Sequence, residues 1–423
     1  MSSNESPRFL TQIGTLALPR FTTTGVPQPP LELRHQCWLE IEDGRITKVG
    51  PEGESEPPQV PYQVCFSVRG RLVTPGFVDA HTHPAFVGFR TSDLLARLEG
   101  LSYHDIAQRG GGILSSVRQV RQVSLERLTE EVVSHFQALR QFGITALEAK
   151  SGYGLTVEDE IKSLRAIRDA AQRVDLTVSP TLLAAHFIPP EFLDRPDAYV
   201  DLIVKEMIPR VVEEQLADAV DVFVDSAAFS VHQARIILET ARQFNLLRRI
   251  HGDQFSPDGS ARLAAEVGAI SADHMDWTPP DDYDYLVQDR LTVVLLPGAV
   301  FFLGKERFAS AREMIRRGVR VALSTDFNPG SSPTTNLPLM LTLACLKMGL
   351  TPEQALWAAT MGGAWAIDKP TQLGSLYPGY QADLAVWEVS DLAEIPYRFG
   401  SITPQMVMVK GRVVIERQET EGE

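Results

Sequence analysis

Eight short runs rich in apolar and β-branched residues, at 76–81, 144–150, 176–186, 221–226, 249–253, 269–274, 291–296 and 320–326, constrain this chain more than any other feature. The segments between them repeat apolar residues at a period near 3.6, as helices that bury one face do. In Ser124 to Phe142 those positions are Leu125, Leu128, Val132, Phe136 and Leu139, with Gly143 placed to cap the end. Val157 to Val174 likewise sets Ile161, Leu164, Ile167, Ala171 and Val174 on one face. Strands alternating with helices over about 250 residues predict an α/β fold, a (β/α)8 TIM-like barrel. A doubly wound open sheet is the alternative. No Gly-rich phosphate loop follows the first run, and Gly110-Gly111-Gly112 does not follow a strand, so the barrel is the better reading.

Both ends of the chain read as β structure. Thr11 to Leu18, Cys37 to Glu42 and Arg45 to Val49 alternate in polarity, with Asp43-Gly44 as a hairpin turn. Leu384 to Trp387, Pro404 to Lys410 and Arg412 to Ile415 do the same after a helical stretch that opens on the capping box Thr351-Pro-Glu-Gln354. The simplest assembly is a small β-sandwich domain built from residues 1–74 and 374–423, flanking a barrel of residues 75–373.

A net charge of −14 and a pI near 5.2 exclude the basic footprint that nucleic acid or an anionic membrane requires, leaving a small molecule as the expected partner. The N-terminus shows no secretory pattern, and the longest apolar stretch, Leu291 to Gly304, is broken by Pro297-Gly298. Cys37, Cys65 and Cys345 have no C-x-x-C spacing, which fits reduced thiols and a cytoplasmic address.

Barrel chemistry sits at the C-terminal ends of the strands. Run one ends in Asp79, His81 and His83, run two in Glu148 and Lys150, run three in His186 and run four in Asp225. Run five ends in His251, Asp253 and Gln254, run six in His274 and run eight in Asp326. Five of the nine histidines fall at this rim, while His35, His104, His135 and His232 do not. In a strand, His81 and His83 share a face. With His251 and Asp326 they form a candidate four-ligand set of nitrogen and carboxylate without thiolate, which fits a catalytic divalent ion that keeps a position open for water.

These residues carry a resemblance. Pro75-Gly-Phe-Val-Asp-Ala-His-Thr-His83, His251, His274 and Asp326 resemble the amidohydrolase superfamily. Gly110-Gly-Gly-Ile113, Leu147-Glu-Ala-Lys-Ser-Gly-Tyr-Gly-Leu155, Ser271-Ala-Asp-His274 and Ser324-Thr-Asp-Phe-Asn-Pro-Gly330 are similar to its imidazolonepropionase family. The resemblance implies hydrolysis of 4-imidazolone-5-propanoate to N-formimidoyl-L-glutamate in histidine breakdown. It implies one Zn2+ or Fe ion on His81, His83, His251 and Asp326, a substrate held by Arg90, Tyr153, His186 and Gln254, and contacts from Asn328, Gly330 and Ser331 to the glutamate portion of the product. A homodimer is expected.

The residue types agree with that substrate. Arg90 can bind a carboxylate bidentately and Tyr153 adds a hydroxyl. Asn328-Pro-Gly-Ser331 is a turn whose N–H groups can meet an anion. Catalysis is expected from Asp326, which takes the proton of the attacking water and passes it to the leaving ring nitrogen, and from His274, which hydrogen-bonds the developing oxyanion. Gln254 stands where related deaminases carry a proton-shuttling glutamate, and it cannot titrate. Lys150 lies on the second run rather than the fourth, so a bridging carboxylated lysine is not expected. Pairing with Glu148 or Asp79 is its simplest role. Another ring-opening or deaminating hydrolase, and a barrel that has lost catalysis, are the competing readings. The carboxylate-binding Arg90 argues against the first and the complete ligand set against the second.

Overall fold

A computed structural model of the chain describes residues 8–22, 30–57, 65–101, 105 and 110–417, so His104 lies outside the described residues. Five strands precede the barrel: β1 (Phe9–Pro19), β2 (Leu31–Glu42), β3 (Arg45–Val49), β4 (Cys65–Ser67) and β5 (Leu72–Pro75). The barrel strands are β6 (Phe77–Asp79), β7 (Ile144–Lys150), β8 (Thr177–Ala185), β9 (Ala219–Phe223), β10 (Leu247–Gly252), β11 (Ser271–His274), β12 (Thr292–Leu295) and β13 (Val321–Leu323). Three more follow: β14 (Leu384–Trp387), β15 (Pro404–Val409) and β16 (Arg412–Glu416).

Strands β6 to β13 pair in sequence order, each parallel to the next, as βαβ units with intervening helices require. The ring closes where a parallel bridge joins Thr82 to Phe327 and the His83 N–H donates to the Phe327 carbonyl at 2.8 Å. Asp79 reinforces that seam by accepting from the N–H and the hydroxyl of Thr325 at 3.0 and 2.6 Å. The open-sheet alternative therefore fails. The two long helices run over Leu125–Arg140 and Val157–Arg173, each started by a side-chain cap, Ser124 and Thr156. Thr351 and Gln354 form the expected capping box.

The remaining strands form a second sheet in the order β16-β15-β14-β5-β1-β2-β3, with β4 also on β1. Strands from both chain ends thus interleave, and β14 pairs antiparallel with β5. This sheet curls until its two outer turns meet: a Cβ on Gly411 would stand 3.0 Å from the Cα of Gly44. Leu10, Leu16, Leu39, Val73, Val386 and Met408 are among the residues buried inside it. Gly76 alone separates β5 from β6, and it packs so tightly that a Cβ there would meet Thr145 Oγ1 at 2.2 Å. No helix among the described residues is long and apolar enough to cross a membrane.

Candidate metal centre

Strand β6 runs out of the barrel into Ala80 to His83, all of them buried. His81 Nε2 and His83 Nε2 stand 3.2 Å apart, and His251 Nε2, from β10, lies 3.4 Å from His83 Nε2. Asp326, just past β13, places Oδ1 3.6 Å from His81 Nε2 and 3.4 Å from His83 Nε2. Three histidine nitrogens thus converge, and Asp326 Oδ1, which is also grouped with His81 and His274, approaches two of them. Ligands about 2.05 Å from a tetrahedral ion are separated by about 3.3 Å, so this spacing fits a divalent metal. Burial, then the positive charges around them, hold His81 and His83 well below the usual imidazole range, which leaves them neutral as ligands must be. His274 and Asp326 both adopt left-handed backbone, with φ of 73° and 53°, strain of the kind that functional rims store.

Beneath this quartet the barrel is filled with charge. His81 Nδ1 lies 2.6 Å from Asp273 Oδ2, and His251 Nδ1 lies 2.9 Å from Asp221 Oδ2. Lys150 Nζ is 2.8 Å from Glu148 Oε1 and 2.7 Å from Asp221 Oδ2. Its expected partner Glu148 is thus correct, whereas Asp79 is occupied at the seam with Thr325. Burial raises Asp273 to about 7, although Lys150 opposes it. Burial works on Asp221 in the same direction, but His251 and Lys150 outweigh it and hold that carboxyl well below its usual range. Lys150 remains a cation because Asp221, Glu148 and Asp273 together outweigh its burial.

His274 lies beside the quartet, its ring centroid 5.6 Å from those of His81 and His251. His81, His274 and Asp326 form a second grouping of possible ligands. Burial pushes the His274 imidazole down to about 3, so it is a neutral ring. His186 stacks on His83 with centroids 5.1 Å apart, and its Nδ1 is 3.0 Å from the Gly152 carbonyl oxygen. Tyr153 is buried 6.2 Å from the His83 ring. Its loop is shaped by Glu160, whose carboxylate accepts from the N–H groups of Gly152, Gly154 and Leu155 at 3.0, 2.7 and 2.8 Å. Gly152 has φ of 102° and a Cβ there would press on His186 Nδ1, so both glycine and Tyr153's aim are set locally.

Arg90 lies against the Asn328 turn: its N–H donates to the Pro329 carbonyl at 3.2 Å and its guanidinium covers Gly330. Asn328 Oδ1 accepts from the N–H groups of Gly330 and Ser331 at 2.8 and 2.7 Å. Those two donors are therefore spent within the turn, contrary to the expectation that they meet an anion. Ser331 Oγ instead points to Asp326 Oδ2 at 3.4 Å. Gln254 opens on a cavity of about 350 Å³ lined by Phe255, Asp276, Trp277 and Arg307. Of the remaining histidines, His135 is buried against Phe86 and its Nδ1 meets the Pro84 carbonyl at 2.9 Å, anchoring the turn after His83.

The chain matches the Amidohydrolase family over residues 72–414. It is 43% identical over 381 residues to the imidazolonepropionase of Symbiobacterium thermophilum, covering 89% of this chain and 90% of that one. The chain belongs to the imidazolonepropionase family. The Solibacter usitatus member is 40% identical over 406 residues, spanning 96% of this chain and 97% of its own. Escherichia coli guanine deaminase shares the fold, with a TM-score of 0.74 at 18% identity over 98% of this chain and 100% of that one. In this family member the strand ends bring His81, His83, His251 and Asp326 near one another, but strand-end position gives no sign of Asp221, Asp273 and Glu160. The signal for the first two was a carboxylate inside an apolar strand, which is costly unless paired.

Proposed function

We propose that this imidazolonepropionase family member hydrolyses the cyclic amide of 4-imidazolone-5-propanoate to N-formimidoyl-L-glutamate, a step of histidine degradation. The observation that carries the reading is Arg90, a cation held against Pro329-Gly330 beside Asp326, where a ring bound at the quartet would extend its propanoate. The imidazolonepropionases at about 40% identity support the substrate.

His81, His83, His251 and Asp326 would hold one Zn2+ or Fe ion, as their spacing and the absence of thiolate favour. Such an ion, when bound, supplies Lewis acidity and makes a water nucleophilic near neutral pH. Asp326 turns Oδ1 to the histidines and Oδ2 to Ser331, which leaves Oδ2 to take a proton from the attacking water. The water oxygen bonds to the ring carbonyl carbon, the carbon–nitrogen bond breaks, and the proton passes from Asp326 to the departing ring nitrogen. His274, neutral and off the quartet, donates to the oxygen that gains charge. Arg90 and Tyr153 hold the carboxylate, His186 and Gln254 the ring, and Asn328, Gly330 and Ser331 shape the pocket for the glutamate portion. Cys37 and Cys345 are free thiols, in keeping with a cytoplasmic protein, and we expect a homodimer, which light scattering would check.

The test is turnover of imidazolone propanoate by metal-loaded protein, beside the same ring without its carboxylate tail. The first should be hydrolysed and the second turned over at least tenfold less efficiently. Equal turnover would remove Arg90 from recognition and the assignment with it.

A further inference from the structure

Lys150 is entirely buried and, in the chemistry above, has no role. Its surroundings are specific. One oxygen, Asp221 Oδ2, lies 2.7 Å from Lys150 Nζ and 2.9 Å from His251 Nδ1. Another, Asp273 Oδ2, lies 3.8 Å from the same Nζ and 2.6 Å from His81 Nδ1. A single ammonium therefore stands behind two carboxylates, and each carboxylate stands behind one histidine of the quartet. The backbone repeats the connection, since the Lys150 N–H donates to the Thr82 carbonyl at 3.0 Å and Thr82 Oγ1 donates to the Glu148 carbonyl at 2.6 Å.

We propose that Lys150 is a positioning residue for the metal centre: its ammonium fixes Asp221 and Asp273, which hold His251 and His81 with Nε2 turned towards the ion. A carboxylate held against Nδ1, within hydrogen-bonding geometry at His81 and at ion-pair distance at His251, favours the lone pair on Nε2 and restrains the ring's rotation, and such partners govern metal affinity. Without the cation, the two buried acidic side chains lose the partner they share and are free to rotate, and each histidine loses its orientation. Asp221, His251 and Asp273 are also grouped closely enough to bind an ion of their own. Lys150 supplies positive charge there through a covalent tether, which keeps the centre at one metal per chain. A simple stabilising ion pair would need only Glu148, already 2.8 Å away.

The inference rests on His81, His83, His251 and Asp326 being the ligands, and it is independent of which ring is cleaved. Intact wild-type protein and K150M would be stripped and titrated with Zn2+ and Co2+ against a competing chelator, and the visible spectrum of each Co2+ form recorded. Wild type should take one ion per chain. K150M should bind about 10- to 100-fold more weakly, show an altered Co2+ spectrum, and regain activity in excess Zn2+. Affinity within threefold of wild type with an unchanged spectrum would overturn the proposal, whatever the loss of thermal stability. If K150M does not fold, K150M/E148Q, which removes the ammonium with one of its carboxylates, decides by the same readings. Failure of both to fold would assign Lys150 to stability and also overturn it. Wild type that binds no ion would remove the ligand reading and this inference together. Lost affinity in K150M with no turnover of imidazolone propanoate by wild type would sustain the inference and sink the substrate.

Discussion

Gly330 lies under the Arg90 guanidinium so closely that a methyl group on its Cα would stand 1.3 Å from Nη2. Its backbone is outside the left-handed region, so alanine suits the main chain and the nearest conflict is with the Arg90 guanidinium. G330A should therefore fold, displace the guanidinium and raise KM for imidazolone propanoate about tenfold or more, the scale of a lost charge-assisted contact. The ring without a carboxylate should be turned over as before. If both substrates suffer equally, Gly330 serves the turn and not the arginine.

The tail contact itself is read by R90Q, which keeps a hydrogen-bonding head and removes the charge. Loss of a hydrogen bond between charged groups costs about 1.5–3 kcal/mol, equivalent to about 10- to 100-fold in kcat/KM. Metal content should not change, because Arg90 touches the Asn328 turn and not the quartet. R90Q with wild-type kcat/KM would show that the carboxylate is bound elsewhere.

Much of this centre is legible along the chain because barrel topology converts strand ends into neighbours. Once eight runs are counted, His81, His251 and Asp326 must share a rim although they are far apart in sequence. What lies one layer down is harder to read. Asp221 sits in the middle of Ala219-Val-Asp-Val-Phe223, and only the pairing of the parallel strands brings it to Lys150 and His251. Glu160 belongs to the acidic first turn of a helix, with Glu158 and Asp159, a pattern the helix dipole explains without any further role. Its burial and its three N–H donors come from the fold of the Tyr153 loop.

That role of Glu160 can be tested directly. A glutamine has one acceptor oxygen where the carboxylate has two, so E160Q must release the N–H of Gly152 or those of Gly154 and Leu155. A buried donor left unpaired costs about 1–3 kcal/mol, which thermal melts would register. Tyr153 should lose its fixed position and kcat/KM should fall, with metal affinity retained. An unchanged melt and unchanged kinetics would show that the loop holds itself.

Asp383 gives a pH dependence outside the quartet, where the small β domain meets the start of β6 through the Gly76 N–H and the Asp383 carbonyl, 2.9 Å apart. It is buried in the small β domain, accepts from the Lys410 N–H and the Gln381 amide, and is raised by burial to about 6. The unfolded chain loses this proton near pH 4, so between about pH 4 and 6 the folded state binds more protons and stability falls as pH rises. The group contributes up to about 3 kcal/mol of that loss. D383N cannot titrate and can keep both contacts if Gln381 turns its amide, so its melting temperature should gain on wild type as pH increases through this window. Parallel curves for the two proteins would show that the carboxyl is not held protonated.

His274 and Asp326 separate metal binding from proton transfer. Asp326 Oδ1 faces His81 and His83 within 3.6 Å, so D326A removes the proposed fourth ligand and the proposed proton carrier at once. It should lose metal and turnover together, and excess Zn2+ should not restore the rate. His274 has its ring centroid 5.6 Å from those of His81 and His251, and its Nδ1 is buried without a hydrogen-bond partner among the described residues. H274A should therefore keep its metal while kcat falls about 100- to 1,000-fold, the cost of deleting one donor to a developing oxyanion. Metal analysis and kcat measured on the same preparations distinguish the cases. If H274A loses its ion as D326A does, His274 is a ligand, and the oxyanion donor must be sought among Tyr153 and His186, which flank His83 on its other side.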